Sequence, residues 1–283
     1  MRPFFLIRLL AIDIDGTLLD SHGVLPEANI GAISRAIDAG VEVALATGRR
    51  YDFARAIFEK LRSPLTLILS NGAVVKTCAG ETLQRRLLPR EVAHGVLVRT
   101  PEHREGAAVV FDRPREGQVV FEAIDWEHPR HSKFFATNRP YLAESNPLEV
   151  CLTEDPIQVM FTGFCAPMRS LFDDLQHQSG ALFSVALTEY QHRDFSLVDV
   201  VRSGVSKGTA LRDWAESKGY AREEVMAIGD NLNDLEMLEF AGTPVIMANA
   251  IPELRARGWA QTGDNDSDGV AQAVETFILK GAS

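Results

Sequence analysis

Two carboxylates stand two residues apart in Asp13-Ile14-Asp15-Gly16-Thr17, at the end of an apolar run from Leu9 to Ile14. At a strand end such a pair can turn both acids toward one ligand; read alone, it is also an ordinary loop cap. Thr47-Gly48-Arg49 offers a hydroxyl and backbone N–H groups at a helix start, which suit an anion. Thr is equally a common helix N-cap. Lys207 falls in the first turn of another helix, where a cation opposes the macrodipole at a cost of a few tenths to about 1 kcal/mol. An anionic ligand or acidic neighbours would offset that cost. On the dipole argument alone, Lys207→Ala leaves the ligand-free protein no less stable. Gly229-Asp230-Asn231-Leu232-Asn233-Asp234 places carboxylates and amides directly after an apolar strand. Those groups suit a hard cation such as Mg²⁺ together with a phosphate, and a helix cap explains only one of them.

The elements that must position these groups follow from apolar runs and their punctuation. Leu9 to Ile14, Val41 to Ala46 and Leu65 to Leu69 read as strands. Between them lie a helix with Ile30, Ile33 and Ile37 on one face, stopped by Gly40, and a helix carrying Phe53, Ile57 and Leu61. Strand–helix alternation with short connections implies right-handed crossovers and a parallel sheet. After about residue 80 the rhythm changes to short strand-like runs, 109–111, 119–121, 157–161 and 182–186, with a helical stretch from Pro167 to Gly180. The first rhythm is expected to resume with Leu197 to Val201, then a helix opened by Ser206-Lys207-Gly208, a strand at Val225 to Ile228, another helix, and a strand at Val245 to Met247. The expected architecture is α/β: a doubly wound, parallel-sheet, Rossmann-like core with an inserted α+β domain. Its boundaries are 1–82 for the first core part, 83–190 for the insert and 191–283 for the second core part. In open α/β sheets ligands bind at the carboxyl ends of the strands, so all four motifs can meet in one crevice.

Composition narrows the class. With 283 residues, 46% hydrophobic and 24% charged, the chain can bury a core without disulfides. Lys+Arg is 29 and Asp+Glu is 39, a formal charge of −10 that disfavours a nucleic-acid polymer as partner. Cys78, Cys151 and Cys165 are odd in number and lack a CxxC, so they read as free thiols of a reducing, cytoplasmic setting. Arg8 interrupts the apolar start, no cleavage signal follows, and no run of about 18 apolar residues exists, so neither a signal peptide nor a membrane partner is expected.

In this order, the four motifs resemble those of the haloacid dehalogenase superfamily. DIDGTLL, ATGR, SKG and GDNLNDLEML are similar to its motifs I to IV. The insert between motifs II and III resembles the type-II cap of its Cof-like phosphatases, as do Ser70-Asn71-Gly72-Ala73 and Asp268-Gly269-Val270-Ala271. Met247-Ala248-Asn249-Ala250 departs from the family pattern, which carries Gly before the Asn. The resemblance implies a phosphatase of small phosphate esters, a monomer or small homo-oligomer, with Mg²⁺ as cofactor. Asp13 is then the nucleophile that forms an aspartyl-phosphate, and Asp15 the general acid and base. The Asp13 and Asp230 carboxylates and the Asp15 backbone carbonyl would bind the metal. Thr47, Gly48, Lys207, Asn233 and the backbone of Ile14 would cradle the phosphoryl group. Asp234 would orient Lys207 or a metal-bound water, and Thr17 would brace its loop. The insert is expected to move as a cap and to set substrate choice.

Other conspicuous residues have plainer readings. His128 and His131 have close spacing but read as a surface loop; Arg85-Arg86 and Arg113-Pro114-Arg115 read as solvated turns; Trp214 and the Phe residues read as core. A sugar phosphomutase is the alternative enzyme. A non-catalytic phosphosugar-binding protein is the alternative from another class, disfavoured because Asp13, Asp15, Lys207 and Asp230 are all present.

Overall fold

The computed structural model describes residues 6–127 and 132–280. Along the chain, β1 (Leu9–Asp13), α1 (Glu27–Asp38), β2 (Glu42–Ala46), α2 (Tyr51–Phe58) and β3 (Thr66–Leu69) alternate as the apolar runs require, and β4 (Val74–Thr77) and β5 (Thr82–Arg85) follow. The second stretch contains α3 (Arg90–Arg99), β6 (Ala107–Val110), β7 (Val119–Phe121), α4 (Ser132–Asn138), β8 (Leu142–Glu144), β9 (Gln158–Gly163), α5 (Cys165–Ser179), β10 (Phe183–Tyr190) and β11 (Phe195–Arg202). The last contains α6 (Lys207–Ser217), β12 (Val225–Gly229), α7 (Leu235–Phe240), β13 (Thr243–Ile246), α8 (Pro252–Arg255), β14 (Ala260–Gln261) and α9 (Gly269–Val274).

Two compact units result, Met1–Arg85 with Val205–Ser283, and Arg86–Gly204. The first is built on a sheet ordered β14-β13-β12-β1-β2-β3-β4-β5. Its strands are parallel from β14 to β3, and β4 and β5 are antiparallel additions at one edge. Every residue of β1 is buried, because helices cover both faces of a parallel sheet. Leu9 and Ala11 pack with Ala210, Leu211 and Leu238 of α6 and α7, while α1 packs on α9. The chain moves from β1 outward to β2 and β3, then returns on the other side of β1 as β12, β13 and β14. This is the doubly wound, Rossmann-like core, and β1 is its switch point.

The second unit is α+β, with a sheet ordered β10-β11-β9-β6-β7-β8 and all pairs antiparallel except β7 with β8. Helix α5 lays Met168, Leu171 and Leu175 against this sheet. Here the sequence reading needs correction. Leu197 to Val201 does not return to the core; it is the centre of β11, paired with β10 and β9. The second boundary therefore falls after Gly204, not after residue 190, and the first after Arg85. An apolar run has the same periodicity in either sheet; only its partners decide which one it joins. Arg85 is likewise the end of an edge strand, not a turn. Among the described residues, no helix is long and apolar enough to cross a membrane, and the three cysteines are unpaired.

Candidate active site

The site grows out of the carboxyl ends of three parallel strands. Asp13 is the last residue of β1 and lies level with Ala46, the last of β2. Ile12 pairs with Ile228, so β12 delivers Asp230 beside Asp13. After Asp13 the backbone leaves the sheet in a tight turn in which Gly16 has φ +85°. A Cβ at that residue would lie 2.5 Å from Asp230 Oδ2, so both the conformation and the space require glycine. Thr17, fully buried, donates from its hydroxyl to Asp230 Oδ1 at 2.9 Å and ties this turn to β12.

Lys207 is completely buried. Its ammonium donates to Asp13 Oδ1 at 2.6 Å and to Asp234 Oδ1 at 2.7 Å. Helix α6 holds it there through a capping box, in which Ser206 accepts from the Thr209 N–H and Thr209 Oγ1 accepts from the Ser206 N–H. The second oxygen of Asp234 accepts from the N–H groups of Asp230 and Asn231. Both Asp234 oxygens are thus engaged, one by the Lys207 ammonium and the other by two backbone N–H groups. The acidic neighbours that would offset the helix-dipole cost are present: Lys207 is a buried ion-pair centre between Asp13 and Asp234.

Carboxylate oxygens of Asp13, Asp230 and Asp234 lie within 4.8 Å of one another. Burial, and then the proximity of Asp234, pushes the Asp13 carboxyl up to about 8. Burial and the Asp13 charge push Asp230 well up too. For Lys207 burial works against the charge, yet Asp13 and Asp234 more than compensate and raise its pKa. Three buried acids facing one ammonium are short of positive charge. Lys207 occupies only Oδ1 of Asp13, and Thr17 only Oδ1 of Asp230, leaving Oδ2 of each. Hard, anionic oxygens with spare capacity fit a divalent cation of the Mg²⁺ type.

A second group surrounds this one. Thr47 is buried and its hydroxyl accepts from the Arg49 N–H at 3.1 Å. Asn233 donates through Nδ2 to Asn71 Oδ1 at 3.1 Å, and the Asn71 side chain lies against Gly48. Asn71, buried with φ +53°, therefore joins the loops after β2, β3 and β12. Ile14 is buried directly after Asp13. Asp15 stands apart from the buried acids: its carboxylate binds the Arg49 guanidinium, at 2.7 Å from Nε and 2.5 Å from Nη2. The sequence reading gave no role to Arg49, Asn71 or Asn249, although each lies in a quoted motif. Asn249 donates to the Gly16 carbonyl at 2.8 Å and accepts from the Asn265 N–H at 3.1 Å, bracing the turn after Asp13. Of the histidines singled out, His128 and His131 lie outside the described residues.

The sequence profile of haloacid dehalogenase-like hydrolases matches residues 10–274. The chain belongs to that family. Among its relatives, the chain is 30% identical over 278 residues to pyridoxal phosphate phosphatase YbhA of Escherichia coli (strain K12), covering 96% of this chain and 99% of the other. It is 27% identical over 295 residues to 5-amino-6-(5-phospho-D-ribitylamino)uracil phosphatase YwtE of Bacillus subtilis (strain 168), covering 96% and 98%. A haloacid dehalogenase-like hydrolase structure from B. subtilis shares the fold, with a TM-score of 0.82 at 23% identity, covering 96% of this chain and all of the other. This haloacid dehalogenase-like protein is accordingly an enzyme, a phosphoric monoester hydrolase.

Proposed function

We propose that the enzyme hydrolyses small phosphorylated metabolites in the cytoplasm, with Mg²⁺, through an aspartyl-phosphate on Asp13. The observation that carries this reading is the buried Asp13–Lys207–Asp234 cluster beside Asp230 at the switch point of the sheet. In the first step a carboxylate oxygen of Asp13 attacks phosphorus. The ester P–O bond breaks, and Asp15 protonates the departing alkoxide. In the second step the Asp15 carboxylate takes a proton from water as that water attacks the acyl phosphate. Inorganic phosphate leaves and the Asp13 carboxylate is regenerated. Lys207, Thr47, Gly48, Asn233 and the Ile14 backbone hold the equatorial oxygens, and Asp234 keeps Lys207 aimed at Asp13. The Asp13 and Asp230 carboxylates and the Asp15 carbonyl would hold Mg²⁺, which when bound neutralises charge on the phosphoryl oxygens.

The relatives' names direct the test. Phosphate release is measured from p-nitrophenyl phosphate, sugar phosphates, pyridoxal phosphate and the phosphoribitylamino-uracil, with Mg²⁺ and with EDTA. Metal-dependent release is expected, as is acid-stable capture of labelled phosphate by wild-type protein and not by Asp13→Asn. Release that EDTA leaves intact would remove the metal from the reading. Conversion of hexose 1-phosphate to hexose 6-phosphate without free phosphate would make the protein a mutase.

A further inference from the structure

We infer that Arg49 is a positioning residue for acid catalysis: its guanidinium fixes the Asp15 carboxylate in the orientation from which it protonates the leaving group. The inference rests on the reading of Asp15 as the general acid. Asp15 lies in an irregular turn (φ −88°, ψ +113°) just before the positive-φ Gly16, and its side chain is 28% exposed. The turn is braced, but the Asp15 side chain is not fixed by burial as that of Asp13 is. Among the described residues, Arg49 is the sole hydrogen-bonding partner of its carboxylate, and it contacts both oxygens. A fork of two parallel N–H bonds sets the plane of a carboxylate as well as its position, which a single point charge cannot do.

Arg49 is itself held from three sides. Its N–H donates to Thr47 Oγ1, its Nη1 donates to the Phe53 carbonyl at 3.4 Å, and its guanidinium lies 4.7 Å over the Phe53 ring. The first turn of α2 thereby transmits a fixed position to the turn after β1, across 34 residues of sequence. The same fork has a consequence for the reaction. Each Asp15 oxygen takes one of the two bonds and keeps a second lone-pair site, so the carboxyl can pass a proton to the leaving oxygen while Arg49 holds its plane.

The experiment compares Arg49→Met and Arg49→Lys with wild type on two esters, reading kcat/KM because it reports the first phosphoryl transfer. p-Nitrophenolate is a good leaving group that needs little protonation; an alkyl phosphate such as glycerol 1-phosphate needs the acid. Arg49→Met is expected to lower kcat/KM for the alkyl ester by about 10²-fold, the scale of one general acid, and for the aryl ester by less than about 10-fold. Arg49→Lys should fall between, since Lys keeps charge without the fork. In the Asp15→Asn background Arg49→Met should cost nothing further. The Kd for inorganic phosphate, by calorimetry, should not move. Equal losses on both esters, full additivity with Asp15→Asn, or a weakened phosphate Kd would each overturn the inference. If Arg49→Met does not fold, Arg49→Lys alone decides by the same ratio. Asp15→Asn that treats the two esters alike would instead remove the acid role of Asp15, a separate failure of the underlying reading.

Discussion

At Asp13, burial and charge work against each other in a way that pH can expose. Its carboxyl is pushed up to about 8, above the ordinary 3.8 of an unfolded aspartate, first by burial and then by Asp234. Between those values the folded state binds the extra proton, so stability falls as pH rises from about 4 to about 8. The metal-free protein is therefore expected to melt at a lower temperature at about pH 8 than at about pH 6. Asp13→Asn should flatten that slope, raise the Tm at pH 8 and abolish turnover. An unchanged slope would assign the titration elsewhere, and activity above a few per cent would remove Asp13 as nucleophile. Lys207 gives the opposite sign. Without it three buried acids have no cation, and breaking a buried pair from one side costs about 3–5 kcal/mol. Urea unfolding of Lys207→Met should show a loss on that scale at pH 8 and a smaller one at pH 6, where Asp13 is protonated. No loss at either pH would return Lys207 to the helix-dipole account.

Between residue and fold, the turn after β3 holds α6 at the site. Gly72 has φ +96°, and a Cβ there would lie 2.2 Å from the carbonyl oxygen of Ser206, the residue before Lys207. Gly72→Ala must move either the turn or the start of α6. Strained backbone of this kind costs of order 1–3 kcal/mol, and the displaced segment carries Lys207, the proposed phosphate-binding cation. A Tm lower by several degrees is expected, together with a fall in kcat. Gly23 is the control: its φ is +76° but nothing lies within 4 Å of a Cβ. Gly23→Ala should lose less stability and keep kcat, and equal effects of the two substitutions would show that contact with Ser206 does not matter.

For the molecule as a whole, every residue placed in the reaction belongs to the first unit, while the second has its own sheet and its own apolar interior. If the second unit sets substrate choice, as proposed from its place as an insert, chemistry and selectivity separate by deletion. Replacing residues 86–204 with a short Gly/Ser linker is expected to leave a folded protein that still cleaves p-nitrophenyl phosphate. It should no longer rank metabolites as the full chain does. The monodisperse fraction from size exclusion is assayed, so aggregated material does not enter the comparison. An unchanged ranking would locate selectivity in the first unit.

The α/β core and the four motifs were legible in the sequence because strand ends, turns and helix starts are local. Asp13, Thr47 and Asp230 each follow an apolar run, and Lys207 follows a Ser cap; those relations span a few residues. What remained hidden was pairing at a distance. Lys207 meets Asp13 across 194 residues and Arg49 meets Asp15 across 34, so neither the burial of the lysine nor the use of Arg49 has a local signature. Asn71 was visible as part of a motif, but its bridge to Asn233 spans 162 residues. The same reason misplaced β11: its alternation is correct for a strand, and hydrogen bonds to β10 and β9 alone decide which sheet contains it. Backbone preference is written in neighbours along the chain; charge pairing and sheet membership exist only once the fold has brought distant segments to bonding distance.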